Sequence, residues 1–391
     1  MSATPARPVE SAAAPIARGL PAWVYNHPQM TRLEYERILK PSWQIACHIS
    51  QIPGGGDYVT FELGSDSVIV LREPGGEIRA LRNVCRHRGT RLLEGTGRCR
   101  GRITCPYHGW TYRYDGSLLA TPARDSFPDL NLREHGLDKV HMEVALGFVF
   151  VCLGADPPPP PSERWAPVMD ELSPYRFEEL VPTQPVYLEE WDVDWKIAMD
   201  NYLESYHVPI GHPRLNRKFT PDNEDQRRAP LGGIARGISW LREEPSSRWS
   251  ERIYQRHIAE VSAPHLPEPN RRSWRFYSCL PNLGIDIMPE QVDFFQVLPR
   301  GPGKALIRGA AFGLPDDRRE MRLMRWLGNR INMQVNREDR MLCERLQRGI
   351  ADSSYRPGPL SQIETWMHEF HNLLRARIPE ARLPSAPAVF V

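Results

Sequence analysis

Four residues in two short clusters set the strongest constraint on this chain: Cys85-Arg86-His87 and, seventeen residues later, Cys105-Pro106-Tyr107-His108. A Cys and a His on each of two short loops can give two thiolates to one metal ion and two imidazoles to another. That is the ligand set of a 2Fe-2S centre in which two His replace two Cys on one iron and raise its reduction potential. A structural zinc of the Cys2His2 kind pairs Cys with Cys and His with His along the chain. Here each Cys is paired with a His, which fits zinc poorly.

The text around the clusters, Asn83-Val84-Cys85-Arg86-His87-Arg88-Gly89 and Cys105-Pro106-Tyr107-His108-Gly109-Trp110, resembles the Rieske family. The resemblance implies a Rieske 2Fe-2S cluster held by Cys85, His87, Cys105 and His108. At 391 residues the chain has room for two or three domains, each able to bury its own core. Fifty basic against 48 acidic residues, a net charge of +2, indicate neither a nucleic-acid-binding face nor a polyanionic tail. The seven Cys are scattered and odd in number, so no disulfide framework is expected and a reducing cytoplasm is the expected compartment. Residues 1–20, rich in Ala, Pro and Arg, lack the apolar core of a signal peptide, and no apolar run approaches the ~20 residues that span a bilayer. A soluble protein follows as the expectation, with no membrane partner.

Taken in order, residues 1–20 read as a disordered leader. Thr31 to Leu39 reads as a short helix, with Thr31 as N-cap and Glu34 at capping-box spacing. Tyr58 to Leu63 and Ser67 to Leu71 are strand-like runs, and Asp115-Gly116 marks a hairpin between Thr111–Tyr114 and Ser117–Leu119. Both metal loops are expected at hairpin tips. Gly147 to Cys152 reads as the last strand of this half. Pro157 to Pro161 then favours an extended spacer and marks a boundary. Beyond it come an alternating run at Val186, Leu188 and Trp191, a helix near Trp195, and an irregular excursion between Pro213 and Pro269. Four strand-like runs follow, within 273–278, 284–288, 292–297 and 305–309, and point to an antiparallel sheet. Met324, Leu327, Ile331, Val335, Leu342, Leu346 and Ile350 mark one face of a long helix, and a last amphipathic helix runs from about Ser361 to Ile378.

The second half carries its own constellation in Asp200-Asn201-Tyr202-Leu203-Glu204-Ser205-Tyr206-His207-Val208-Pro209-Ile210-Gly211-His212. Glu204 and His207 are spaced to share a helix face, Pro209 is expected to end that helix, and Gly211 lets the chain turn so that His212 points back beside His207. Two imidazoles and a carboxylate around an open-sided metal make the facial triad of non-heme Fe(II) oxygenases. Alone, such a pair of His reads more readily as ordinary helix-end histidines than as metal ligands. With the first motif present, the chain from about Pro21 to Val391 resembles the catalytic alpha subunits of Rieske non-heme iron oxygenases.

The resemblance implies an α+β fold: an N-terminal all-β Rieske domain over 21–156 with a helical segment at its start, a Pro linker over 157–161, and a helix-grip-like catalytic domain over 162–391. In the latter, an antiparallel sheet and helices surround a mononuclear Fe(II). Its ligands are implied to be His207, His212 and Asp339, although helical spacing alone does not choose between Glu338 and Asp339. Glu204 stands where the commonest family pattern has an Asp that bridges the two metal centres; it and Asn201 are assigned to the catalytic machinery. A Glu there resembles members that oxidise quaternary ammonium compounds. The resemblance further implies a separate NADH- or NADPH-dependent reductase, acting directly or through a ferredoxin, dioxygen as co-substrate, and a homotrimer in which one subunit's cluster serves its neighbour's iron. The expected reaction is hydroxylation or oxidative demethylation of a small aromatic substrate, as in aromatic hydrocarbon catabolism. The alternative is a quaternary ammonium compound of betaine, carnitine or choline type. Trp240, Tyr254, Trp274, Phe276, Tyr277, Phe294 and Phe295 are candidates for either pocket. A simple Rieske electron carrier would leave the second half of the chain without a purpose.

Overall fold

The computed structural model describes residues 17–220, 230–231, 233–244, 246–261 and 263–390. Of the expected leader, residues 1–16 lie outside the described residues. Leu20, by contrast, is fully buried, and Arg18 bridges to Pro359.

Short alternating runs in the first half form three small antiparallel sheets. Strand β1 (Gln44–His48) pairs with β10 (Phe148–Cys152), which pairs with β9 (His141–Ala145). A second sheet has the order β4 (Ile78–Arg82), β3 (Asp66–Arg72), β2 (Asp57–Leu63), β5 (Thr96–Arg98). The third joins β6 (Ile103–Thr104), β7 (Thr111–Tyr112) and β8 (Leu118–Ala120). The second metal loop therefore does sit at a hairpin tip, between paired β6 and β7. The first does not, because β4 and β5 flank it from opposite edges of their sheet.

In the second half one seven-stranded sheet runs β11 (Val181–Pro182), β17 (Lys304–Gly313), β16 (Val292–Gly301), β15 (Leu283–Ile287), β14 (Ser273–Cys279), β13 (Ile234–Trp240), with β12 (Tyr187–Trp191) also paired to β17. Strand β13 and helix α3 (Trp249–Val261) fall inside the stretch expected to be irregular. The small residues and the central Gly237 of β13 hide its alternation, so the strand depends on its partner β14 rather than on its own pattern.

The helices start elsewhere than expected. Helix α1 spans Pro28–Glu34 and passes directly into a wider π-turn over Tyr35–Leu39. Pro28 takes the first helical position, where its missing N–H costs nothing, and the His27 ring accepts the Gln29 N–H in place of a Thr31 cap. Helices α2 (Trp195–Tyr202), α4 (Arg319–Ile350) and α5 (Thr365–Arg377) complete the frame. Along α4 the buried stripe is Met321, Met324, Leu327, Cys343 and Ile350, whereas Leu346, expected on that stripe, is 46 % exposed.

The two halves do not keep separate cores. One cluster joins Val24, Phe61, Val70 and Val149 to Trp195, Ile307, Phe370 and Leu374; another joins Ile45, Phe148 and Phe150 to Phe177, Phe294 and Phe312. Polar groups cross the same seam. The buried Arg308 guanidinium on β17 donates to the backbone carbonyls of Ile45 and Ala46 on β1, and the Gln44 side chain accepts from Asn282 and Gln296. Buried carbonyls need such partners, so the seam is specified and not merely greasy.

His48 lies on this seam, fully buried between the rings of Phe148 and Phe312. Its Nδ1 accepts the Ser50 N–H, which leaves Nε2–H to donate to the Phe177 carbonyl at 3.0 Å. Gly147, at φ +66°, makes room: a Cβ there would stand 2.3 Å from His48 Nε2. Burial pushes the imidazole down to about 4 from 6.5, against a small upward pull from the carbonyl bond. The folded chain thus refuses a proton that the unfolded chain accepts. The resulting stability, at most about 3 kcal/mol, is present above pH 6.5 and lost as pH falls through about 4. In urea unfolding across that window, His48→Gln is expected to flatten the pH dependence by about one proton, or ~1.4 kcal/mol per pH unit. An unchanged slope would contradict this account.

Candidate metal centres and the adjoining cavity

The two loops of the first motif are built alike. In each, the Cys N–H donates to the carbonyl five residues on (Cys85 to Thr90, Cys105 to Trp110, both 2.8 Å), and the N–H four residues on returns to the Cys carbonyl (Gly89 2.9 Å, Gly109 3.0 Å). That fourth position needs a positive φ, +80° and +71°, which glycine takes without strain. Both thiols then point inward, with Cys85 and Cys105 each 2 % exposed. The half-buried rings of His87 and His108 bring their Nδ1 atoms within 3.2 Å of each other. Two sheltered sulfurs and two convergent imidazole nitrogens suit a Rieske cluster with its histidine iron toward the surface. Desolvation, with the neighbouring His108 and Arg88, holds His87 below its usual range, and a neutral imidazole is the form that ligates. Trp110 stacks on His87, and the Tyr112 hydroxyl lies 3.2 Å from Cys85 Sγ. Tyr112 was not singled out from the sequence; its only signal is its place two residues after Trp110 on the hairpin.

The second centre hangs from α2. Asp194 caps this helix by accepting the Lys196 N–H, and the fully buried Lys196 ammonium lies 2.5 Å from both Asp194 and Glu34. Trp195 Nε1 donates to the other Glu34 oxygen, and Asp200 accepts from Tyr25 and pairs with His371, each at 2.9 Å. Polar contacts from α1 and α5 thus fix both ends of α2.

Glu204 and His207 do not share a helix. Helix α2 stops at Tyr202, a turn carries both residues, and a short helix begins at Val208. Pro209 opens that short helix instead of ending a longer one, as its tolerance of the first turn allows. The contact expected between them forms all the same: Glu204 Oε2 accepts the His207 N–H, and Oε1 lies 2.5 Å from His207 Nδ1. Gly211 permits a close crossing, since a Cβ there would stand 2.9 Å from Leu342 of α4.

Across that crossing Asp339 Oδ1 sits 2.8 Å from His212 Nε2 and 3.5 Å from His207 Nε2. Donor atoms of His207, His212 and Asp339 lie within 4.8 Å of one another. Glu338 faces elsewhere: its Oε2 is 2.8 Å from His212 Nδ1, the counterpart of Glu204 on His207. Each imidazole is therefore gripped at Nδ1 by a carboxylate and offers Nε2 to the centre, the usual outer support of a metal-binding His. Asn201 Nδ2 lies 3.4 Å from His207 Nε2. Burial lowers the His207 imidazole, but Asp339 and Glu204 outweigh it and raise it to about 9; Asp339 itself, although buried, is drawn below its usual range by the two rings. A divalent cation would displace the protons that these carboxylates otherwise favour. The donor set is that of a two-His, one-carboxylate iron.

Beside the triad, a cavity of about 110 Å³ opens between α4 and the sheet. Strand register puts Phe276, Asp286, Asp293 and Ala311 in one row on the same sheet face. The next row is Ser278, Gly284, Phe295, Gly309 and Tyr187. Its two glycines clear space for two rings, since a Cβ would come within 2.3 Å of Tyr202 at Gly284 and of Tyr187 at Gly309. Tyr202 stacks on Phe295 and donates to Asp286 at 2.7 Å. From α4, Asn332 donates to Asp293 at 2.6 Å, two helical turns before Asp339. Burial pushes Asp286 up to about 6 despite the Tyr202 bond, and Asp293 is raised well above the carboxylate range by burial, Asp286 and Glu290. Of the aromatics proposed from sequence, Trp274, Phe276, Phe294 and Phe295 line the cavity. Tyr254 and Tyr277 are core, Trp240 is not at the cavity, and Tyr187 was missed.

Among the described residues no helix is long and apolar enough to cross a membrane. Residues 42–135 match the Rieske [2Fe-2S] domain, and residues 177–380 match the ring hydroxylating alpha subunit (catalytic domain), which an electron carrier or zinc module would lack. Over 377 residues the chain is 32% identical to the glycine betaine monooxygenase oxygenase subunit of Chromohalobacter salexigens, spanning 88% of this chain and 82% of that protein. It is 29% identical to the chloroplastic choline monooxygenase of Arabidopsis thaliana, over 95% and 84% of the two chains. A crystal structure of a quaternary ammonium Rieske monooxygenase in complex with L-carnitine superposes with a TM-score of 0.76 at 21% identity, covering 93% and 96%. With a cluster-bearing β half joined to a catalytic half that uses a mononuclear iron, the chain belongs to the Rieske oxygenases as a catalytic alpha subunit.

Proposed function

We propose that this subunit hydroxylates a C–H bond next to the nitrogen of a quaternary ammonium compound, with dioxygen and two electrons from a separate NAD(P)H-dependent reductase. The observation that carries the reading is the pair of carboxylates, Asp286 and Asp293, directly opposite each other in an aromatic-walled cavity beside the triad. Burial and mutual repulsion disfavour ionisation of this pair, as the raised Asp286 and Asp293 carboxyls show, and a hydrocarbon ring would offset neither. A cation offsets both, and Trp274 and Phe276 add faces on which it can rest. The small aromatic substrate expected from the sequence is the less favoured reading on this ground, and the names of the relatives point the same way.

His207, His212 and Asp339 would hold the iron, and Cys85, Cys105, His87 and His108 the cluster. When bound, the cluster passes electrons singly and the iron supplies dioxygen activation. Glu204 orients His207 through Nδ1, and Glu338 does the same for His212. Exposed apolar groups adjoin both centres: Tyr107 beside His108 at 60 %, and Tyr206 and Ile210 beside His207 at 63 % and 87 %. Such patches favour burial against another subunit, in line with a ring of three in which His108 of one chain meets Glu204 of the next.

Three measurements test these assignments. In a reductase-coupled assay, trimethylammonium compounds are expected to stimulate NADH oxidation, and naphthalene, benzoate and methoxybenzoates are not; the converse would restore the aromatic reading. Iron analysis should find three irons per chain in the native protein and two in Asp339→Ala. Glu338→Ala should keep the site with iron affinity weakened roughly 10–100-fold; equal loss in both variants would argue against Asp339 as the ligand. Glu204→Ala should retain both metal centres, yet its prereduced cluster should reoxidise far more slowly in stopped flow with substrate and dioxygen. A native rate would remove Glu204 from the electron path.

A further inference from the structure

The two acids of the cavity stand opposite each other but are held differently. Asp293 accepts two amide side chains at one oxygen, Asn332 at 2.6 Å and Gln291 at 3.2 Å to Oδ2, while its Oδ1 is enclosed with no hydrogen-bond partner among the described residues. A negative charge on Asp293 would lie in part on that oxygen, and an unmet buried charge costs more than an unmet neutral group. Asp286 instead accepts a phenol, the Tyr202 hydroxyl at 2.7 Å, and neither of its oxygens is both enclosed and unpartnered.

Tyr202 is fixed for this bond from two sides. It is the last residue of α2, and its ring rests on the backbone of Gly284 and stacks on Phe295 with centroids 5.1 Å apart. The hydroxyl lies 3.4 Å from the Tyr277 carbonyl and 2.7 Å from Asp286, so its single proton goes to the carboxylate, the nearer and stronger acceptor. Burial and Asp286 hold the phenol well above its usual range, which keeps it a donor. Tyr202 does not itself line the cavity. Among the described residues, the other titratable groups that face the pair are Tyr187 from β12, Tyr254 from α3, Glu290 from the turn before β16 and Asp339 from α4. Glu290 disfavours a charge on Asp293 and Asp339 one on Asp286; the Tyr202 bond favours the charged form of Asp286.

Resting on the quaternary ammonium reading above, we propose that Asp286 alone is the anion that receives the substrate's nitrogen, that Asp293 is its neutral neighbour, and that Tyr202 is a positioning residue which keeps Asp286 charged without touching the substrate. One negative charge then meets one positive charge. Burial, with Asp339, raises Asp286 to about 6 against the pull of Tyr202. The anion is therefore present above that pH and lost as pH falls through it, and affinity for a cation falls with it by about tenfold per pH unit.

Tetramethylammonium, which carries the head group and no second arm, is the probe. Calorimetric titration of the iron-loaded enzyme without dioxygen, from about pH 5 to about pH 9, should show level affinity at high pH and this decline at low pH. Tyr202→Phe, which keeps the ring and removes the donor, should move the decline up by about one pH unit and leave the high-pH affinity within a few-fold. Asp286→Asn should abolish the decline and weaken binding at high pH by at least about tenfold, whereas Asp293→Asn should keep both the decline and the high-pH affinity. A decline unmoved in folded Tyr202→Phe would overturn the positioning role. Loss of binding in Asp293→Asn and not in Asp286→Asn would overturn the assignment of the charge, and that comparison needs no change at Tyr202. Either result leaves the quaternary ammonium reading standing, whereas tetramethylammonium binding at no pH would remove that reading and this inference with it.

Discussion

A lysine ammonium taken wholly out of water is tolerable only where carboxylates neutralise it. Lys196 meets that demand with Asp194 and Glu34, and the geometry of the catalytic half follows from it. Glu34 belongs to a helix near the start of the chain, so the ion cluster pins α2 to the first half before the chain reaches the metal turn. Burial raises the Glu34 carboxyl while Lys196 draws it back down. Asp200, held between Tyr25 and His371, repeats the device at the other end of the helix. Only with α2 fixed at both ends can the turn after Tyr202 present Glu204 and His207 to a helix that arrives from far along the sequence.

Much of the site was legible because its chemistry is local. The Cys-x-His and Cys-x-x-His spacings name the donor atoms outright, and each glycine that closes a metal loop lies within four residues of its Cys. What was not legible depends on distant partners. Helical periodicity left Glu338 and Asp339 equivalent on α4; only the position of His212 across the crossing tells them apart. The contact of Glu204 with His207 was foreseen on a helix and is made on a turn, since three-residue spacing serves either. Asp286 and Asp293 are the clearest omission. In a strand reading they pass for outward-facing acids, and their inward placement is settled by register against β14 and β17.

The shared core alters how the chain is divided. A proline run and a shift in composition mark a boundary in the sequence, yet Phe148 and Phe150 pack with Phe294 and Phe312 across it, and Arg308 bonds the backbone of β1. Electron-carrying and oxidising halves are thereby held as one body. Their mutual orientation is set by packing, which is close to rigid in a dense interior, and not by a linker.

The two glycines under Tyr202 and Tyr187 give this arrangement an unequal capacity for change. The cavity is walled by sheet side chains and by α4, while the imidazole donors follow the end of α2 and Asp339 comes from α4. The rings and acids on the sheet and the residues that hold the metal thus belong to different elements, which meet along α4, where Asn332, Asn336 and Asp339 share one helix. An exchange of rings or acids on the sheet therefore alters which molecule fits without replacing an iron donor, whereas a change on α4 touches both.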